Sequence, residues 1–294
     1  MGTAVRITLF AEDAVAADTA ARAAFSRVAE IDNRLSDYKP ESELMGVCRK
    51  AGKRPVKVSE DLFRVLESAQ KLSHDSRGAF DVTIGPIVQL WRAARQTGVL
   101  PDTEALVLAR EHCGYKNVRL DARNRTVRLA REDMLIDLGG IAKGYAADEA
   151  LKALRAGGVS QAIVALSGDI VCGDPPPGLR GWRVGVDPFG SGRPLRYVTL
   201  ANQAISTAGD AEQFLEANGR RFSHIIDPRT AMALVNSVMV SVIARDGLTA
   251  DGLDTTLSVM QLVGAEALLK SRGAAALMVQ PDGRSSEIGG FPAR

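Results

Sequence analysis

Apolar and polar residues alternate over Val5-Arg-Ile-Thr-Leu9, the two-residue period of a half-buried strand. The period then changes. Ala24, Val28 and Ile31 recur every three or four positions, which predicts a helix over about 19–31. Ser59 stands before Leu62, Val65, Leu66, Ala69 and Leu72, the spacing of an N-capped amphipathic helix. Pro86 suits the first turn of a helix running through Leu90 and Trp91, and Thr103 is a cap for another that ends before Gly114. Residues 118–120 and 127–129 flank a polar turn and predict a hairpin. The apolar run 134–136 leads into a glycine-rich turn, with a helix expected over 144–155 and closed by Gly157 and Gly158. Further strands are expected at 161–166, 182–186, 238–244 and 275–279, and between the glycines of 78–86. Helices are expected over 249–260, capped by Thr249, and over 265–271. The strands cluster rather than alternate strictly with helices, which favours α+β architecture. A single compact domain over 1–294 with two lobes fits this order, and the Pro/Gly-rich stretch 173–194 is the natural lobe boundary.

Composition narrows the picture by exclusion. A hydrophobic content of 46% and a charged content of 24% belong to an ordinary globular chain of 294 residues. Basic and acidic residues nearly cancel, 37 against 35, so bulk attraction to nucleic acid or a membrane surface is not supported. No apolar run approaches the ~18 residues of a bilayer span. Cys48, Cys113 and Cys172 lack the spacing of a zinc site or a disulfide framework. No charged-then-apolar leader opens the chain. A cytoplasmic protein is expected if Met1 is the natural start, and a periplasmic or membrane-anchored one if an export segment has been removed.

Chemistry concentrates in a few segments. Asp137-Leu-Gly-Gly-Ile-Ala-Lys-Gly144 combines a carboxylate, a tight turn, a lysine and a helix start, a plausible seat for a phosphate or pyrophosphate. It matches neither the Walker pattern nor the three-glycine dinucleotide fingerprint, and glycines there also serve a simple tight connection. Asp251, Asp254 and Thr255 fall at i, i+3 and i+4 on one helical face, and such hard oxygen donors suit Mg²⁺. Acids in a first helical turn equally complement the macrodipole. His224, one of three histidines, has the chemistry of a general base, or of a strand residue making one structural hydrogen bond. Asp81 in the 78–86 segment offers an acceptor to the N–H groups of a flat ligand, and Tyr38 a ring to cover one. Ser167-Gly-Asp169 and Ser206-Thr-Ala-Gly-Asp210 supply small polar turns.

In order, the segments Met-Gly-Thr, Leu-Ser-x-Tyr-x-Pro-x-Ser-Glu-Leu, Ala-Phe-Asp-Val-Thr-x-Gly-Pro, Asp-Leu-Gly-Gly-Ile-Ala-Lys-Gly, Ser-Gly-Asp, Ser-His-Ile-Ile-Asp-Pro-Arg-Thr and Ala-Asp-x-Leu-Asp-Thr resemble the ApbE family, from Met1 to about Met260. Members are FAD:protein FMN transferases. The resemblance implies Mg²⁺-dependent transfer of FMN from FAD to a threonine or serine hydroxyl of a client flavoprotein, with release of AMP. It implies metal ligation by Asp251, Asp254, Thr255 and the main-chain carbonyl of Gly140. Met1, Tyr38, Ala79, Phe80, Asp81, Asp137, Lys143 and Ile225 would contact FAD, and His224 would take the hydroxyl proton. Departures are Cys48 for a common asparagine, Ala208 for a serine, Ala211 for an often aromatic residue and Ala231 for a glycine. Two alternatives share these residues: a pyrophosphatase that cleaves FAD to FMN and AMP, and a flavin-binding protein without turnover.

Overall fold

The computed structural model describes residues 2–187, 195–210 and 213–292. In chain order the first half contains β1 (Val5–Leu9), α1 (Ala14–Leu35), α2 (Glu43–Cys48), β2 (Val56–Lys57), α3 (Glu60–Asp75), α4 (Gly85–Thr97), α5 (Thr103–Glu111), β3 (Val118–Asp121), β4 (Thr126–Leu129) and α6 (Ala142–Ala156). The second half begins with β5 (Ala162–Leu166), β6 (Asp169–Cys172), β7 (Trp182–Val186), β8 (Arg196–Leu200), β9 (Gln203–Ala208), β10 (Phe214–Ala217) and β11 (Arg220–Ser223). It ends with β12 (Ile226–Asp227), β13 (Met232–Ala233), β14 (Met239–Ala244), α7 (Gly247–Met260), α8 (Ala265–Arg272), β15 (Ala275–Val279) and β16 (Ser285–Ile288).

The frame is an antiparallel sheet in the order β1-β5-β6-β9-β14-β15-β16. Alternation sorts its side chains between two cores. Val164, Leu166, Val240, Val242, Ala276 and Met278 pack with α1, α3, α6 and α7. Ile163, Ile205, Ile243, Leu277 and Val279 face the opposite way, onto Trp182, Val184, Val186, Val198 and Leu200 of the β7–β8 hairpin. Both faces being covered, every residue of β14 is buried. The stretch 173–194 is therefore no lobe boundary: its described part carries the strand that covers the back of the sheet. The second lobe is built instead from α4, α5 and the hairpins β10–β11 and β12–β13, around Ile87, Trp91, Leu106, Leu215, Phe222 and Ile226. No helix among the described residues is long and apolar enough to cross a membrane.

Most expected elements are present within a few residues, and the differences have local causes. Two caps shift to an earlier aspartate: Asp102 accepts from Ala105 N at 3.0 Å and Asp246 from Thr249 N at 2.8 Å. Aspartate outranks threonine as an N-cap, so Thr103 and Thr249 fall inside their helices. The expected strand within 78–86 is a turn with one bridge, Ile84 to Leu135. There Asp81 accepts from Thr83 N at 2.8 Å and Tyr115 N at 2.7 Å, so a carboxylate satisfies backbone donors that a ladder would otherwise use.

Candidate functional site

Two helices cross at a point where neither carries a side chain. A Cβ on Gly144 of α6 would lie 2.0 Å from the Gly247 carbonyl oxygen of α7, and one on Gly247 would lie 2.5 Å from the Gly144 carbonyl oxygen. This approach lets the Gly144 N–H donate to Asp251 Oδ2 at 2.9 Å. Part of the helix start expected to cradle phosphate is thus spent on a carboxylate. Asp148, one turn further along α6, accepts from Gly247 N at 2.7 Å and Leu248 N at 2.9 Å and satisfies the first donors of α7. Gly140, in the preceding turn, lies against Thr255, whose Oγ1 would be 2.9 Å from a Cβ there. The four positions expected to hold a metal are accordingly brought together.

A further acid joins them. Carboxylate oxygens of Asp169, Asp251 and Asp254 lie within 4.8 Å of one another, and all three side chains are buried. Lys143 Nζ reaches Asp251 Oδ1 at 3.2 Å, Asp169 Oδ2 at 3.3 Å and the Gly139 carbonyl at 2.9 Å. Burial opposes the ammonium charge, yet Asp169, Asp251 and Asp254 outweigh it and raise the Lys143 pKa. One cation does not balance three carboxylates. Burial, then Asp169, pushes Asp251 up to about 7, and burial, then Asp251, raises Asp254 well above the carboxylate range. Ser206 contacts both Asp169 and Asp254, but its hydroxyl has a single proton to donate. Excess negative charge and hard oxygen donors fit Mg²⁺. Sequence reading had Asp169 only as a turn residue; its signal was Ser-Gly-Asp at the end of an apolar strand.

The cluster opens into a cavity of about 470 Å³ between the two lobes, which Tyr38, Ala79, Phe80, Asp81, Asp137, His224 and Ile225 also line. Tyr38 is exposed, with the Arg92 guanidinium 4.2 Å from its ring centre. Arg92 also pairs with Asp37 and, at 2.6 Å, with Asp137 Oδ2. Asp137 Oδ1 accepts from Gly139 N at 2.7 Å and fixes the glycine turn. Burial, then Asp37, raises the Asp137 pKa against the pull of Arg92. The oxygens of Asp81 bind Thr83 and Tyr115, so its contribution to the wall includes holding the turn. Met1 lies outside the described residues.

His224 sits between β11 and β12 rather than within a strand. Its backbone N–H and Nδ1 both meet the Gln213 carbonyl, at 3.1 and 3.2 Å. A carbonyl accepts only, so Nδ1 carries the proton in the neutral ring and Nε2 keeps its lone pair. Burial lowers the imidazole to about 4, and Arg95 and Lys143 add to the effect against the Gln213 bond. The ring is neutral near pH 7. Arg92 and Arg95 escaped the sequence reading because arginines at i and i+3 on a helix usually mark a solvated face.

Comparison with known proteins gives the same assignment throughout. The ApbE family model matches residues 1–278. The FAD:protein FMN transferase of Treponema pallidum is 33% identical over 97% of this chain and 83% of its own length. That of Klebsiella pneumoniae is 30% identical over 96% and 83%. The ApbE protein of Thermotoga maritima superposes with a TM-score of 0.89 at 30% identity, covering 98% of this chain and 94% of its own. The flavin transferase ApbE of Vibrio cholerae gives 0.86 at 29%, covering 99% and 95%. With the family model matched over most of its length and the fold shared, the chain belongs to the ApbE family.

Proposed function

We propose that this protein transfers FMN from FAD to a threonine or serine hydroxyl of a client flavoprotein and releases AMP. The observation that carries the reading is one cavity lined by Lys143, a buried three-acid cluster and a neutral histidine. Asp251, Asp254, Thr255 and the Gly140 carbonyl, joined by Asp169, would hold Mg²⁺. When bound, the ion supplies charge neutralisation at the pyrophosphate. Lys143 adds a cation at the same bridge. The flavin nucleotide lies along Tyr38, Ala79, Phe80, Asp81, Asp137 and Ile225, with Met1 a further contact.

His224 accepts the client hydroxyl proton at Nε2 while its Nδ1–H stays on the Gln213 carbonyl. The freed alkoxide oxygen attacks the FMN phosphorus. The bond from that phosphorus to the bridging oxygen breaks, and AMP leaves with the electron pair. A positioned base contributes about 10²–10⁴-fold to such a step.

Incubating the protein with FAD, Mg²⁺ and a threonine-bearing client flavoprotein tests the reading. Covalent flavin fluorescence on the client, with equimolar AMP, is expected. Free FMN with an unlabelled client would make the protein a pyrophosphatase, and bound FAD without AMP would make it a carrier. His224→Ala should retain FAD binding and lose labelling.

A further inference from the structure

One cation in the cleft has no assigned partner. Arg92 and Arg95 lie three residues apart on α4 and both line the cavity. Arg92 is paired with Asp37 and Asp137 and lies over the Tyr38 ring. The Arg95 side chain makes no hydrogen bond or ion pair among the described residues, and its Nη1 is buried without a partner. A guanidinium left this way has donors that folding has taken from water and not satisfied.

We infer that Arg95 is a substrate-recognition residue that receives a carboxylate of the client polypeptide beside its acceptor hydroxyl. The inference rests on the transfer reaction proposed above. Two observations favour a client carboxylate over a phosphate of FAD. The diphosphate already has a seat at the acid cluster, where the Mg²⁺ proposed above, together with Lys143, would meet it. Arg95 instead stands close enough to His224 to depress its basicity, ahead of Lys143 in that effect. Asp137 and Tyr38 act on Arg95, and Asp210 on His224, only through space, so a cation with no anion bonded to it still weakens the base until one arrives. A client carboxylate on Arg95 would neutralise it on arrival, strengthening the base at the moment its hydroxyl is in place. Water, bringing no carboxylate, would meet the weaker base, and transfer would be favoured over hydrolysis.

The test uses threonine-bearing peptides identical except for Asp, Asn or Lys at one position near the acceptor, scanned through the flanking residues. Transfer is read as covalent flavin fluorescence, and binding as anisotropy of labelled peptides on the FAD-loaded protein. The parent should prefer Asp over Asn by about 10- to 100-fold at one position, the worth of a hydrogen bond to a charged group. Arg95→Gln should erase the preference, Arg95→Lys retain part of it, and Arg95→Glu favour the Lys peptide. The affinity for FAD alone, titrated by flavin fluorescence, should stay within about twofold of the parent in all three, a shift far below one ion pair. Equal binding of Asp and Asn peptides by the parent overturns the inference even where nothing is transferred. So does an Asp preference that survives Arg95→Gln, or a loss of FAD affinity as large as any loss of peptide affinity. An Asp preference in binding with no labelling of any peptide counts against the transferase reading and leaves this one standing.

Discussion

Replacing Gly144 by alanine would put a methyl group into space that α7 already fills. The new Cβ would stand 2.0 Å from the Gly247 carbonyl oxygen, 2.4 Å from its carbonyl carbon and 2.8 Å from Asp251 Cβ. Ordinary contact needs more than 3 Å, so the helices must part by about 1 Å. None of these atoms is the end of a flexible side chain that could swing away. Helix propensity argues the other way, favouring alanine by up to about 1 kcal/mol. Overpacking costs about 1–3 kcal/mol, and more where backbone has to shift, so the steric effect wins. Function should suffer more than stability, because the Gly144 N–H holds Asp251 in the acid cluster. A displacement of about 1 Å at a reacting constellation costs on the order of 100-fold in rate. Urea unfolding midpoints and the Mg²⁺ dependence of AMP release measure the two effects. Gly247→Ala intrudes on the same crossing from the other helix, 2.5 Å from the Gly144 carbonyl oxygen, and should behave alike. Gly46→Ala is the control: its Cβ meets nothing nearer than Arg49 Nη2 at 3.8 Å, and it should be neutral or stabilising. A Gly144→Ala protein with the parent's midpoint and the parent's Mg²⁺ response would refute the argument.

Two further predictions concern pH. Without metal, burial reinforced by Asp169 holds Asp251 near 7, so below that pH a cation must displace a proton. Mg²⁺ affinity should then fall on the acid side by about tenfold per pH unit for each proton displaced, as calorimetry can read, whereas a flat profile would contradict it. Burial likewise lifts Asp148 to about 7 against the pull of the Gly247 and Leu248 N–H groups. Its folded pKa lies above its unfolded value, so the stability it contributes is full below about pH 4 and is lost as pH rises through 7. Relative to Asp148→Asn, the parent should lose up to about 4 kcal/mol between these limits; a difference that grows with pH would have the wrong sign.

What could be read ahead of the structure followed the range of the interaction involved. The helix around Leu62, Val65, Leu66, Ala69 and Leu72 was legible because one periodic face meets one core, and Ser59 indeed caps it, accepting from Leu62 N at 3.3 Å. The 118–129 hairpin needed only its own turn. Positions carried over on the family resemblance, such as Gly140 and Thr255, converge although 115 residues separate them, which no local pattern announces. The lobe boundary failed for the opposite reason. Prolines and glycines at 173–194 looked like a linker, while Trp182, Val184 and Val186 were already an alternating strand seeking a face to cover. Ala231 marks another limit: it stands at a φ of +63°, a conformation suited to the glycine expected there, with its carbonyl accepting from Trp91 Nε1 at 3.0 Å.

Asp169 and Arg95 were hidden because their meaning is electrostatic and nonlocal. A carboxylate ending a hairpin turn is unremarkable until β6 brings it beside two others on α7; an arginine on α4 is unremarkable until Asp37 and Asp137 are seen to choose its neighbour Arg92. Each wall therefore brings something unsatisfied to the cleft, excess acid on the sheet side and the unpartnered Arg95 guanidinium on the α4 side. Collapsing the cleft to pair them would quench both, and the lobes prevent it. The α6–α7 glycine crossing fixes the acids, and Trp91 of α4, packed against Phe222 at 5.5 Å between ring centres, anchors the opposite wall. Charges held apart in this way are satisfied by what enters: a divalent cation on the acid side, and an anion beside His224.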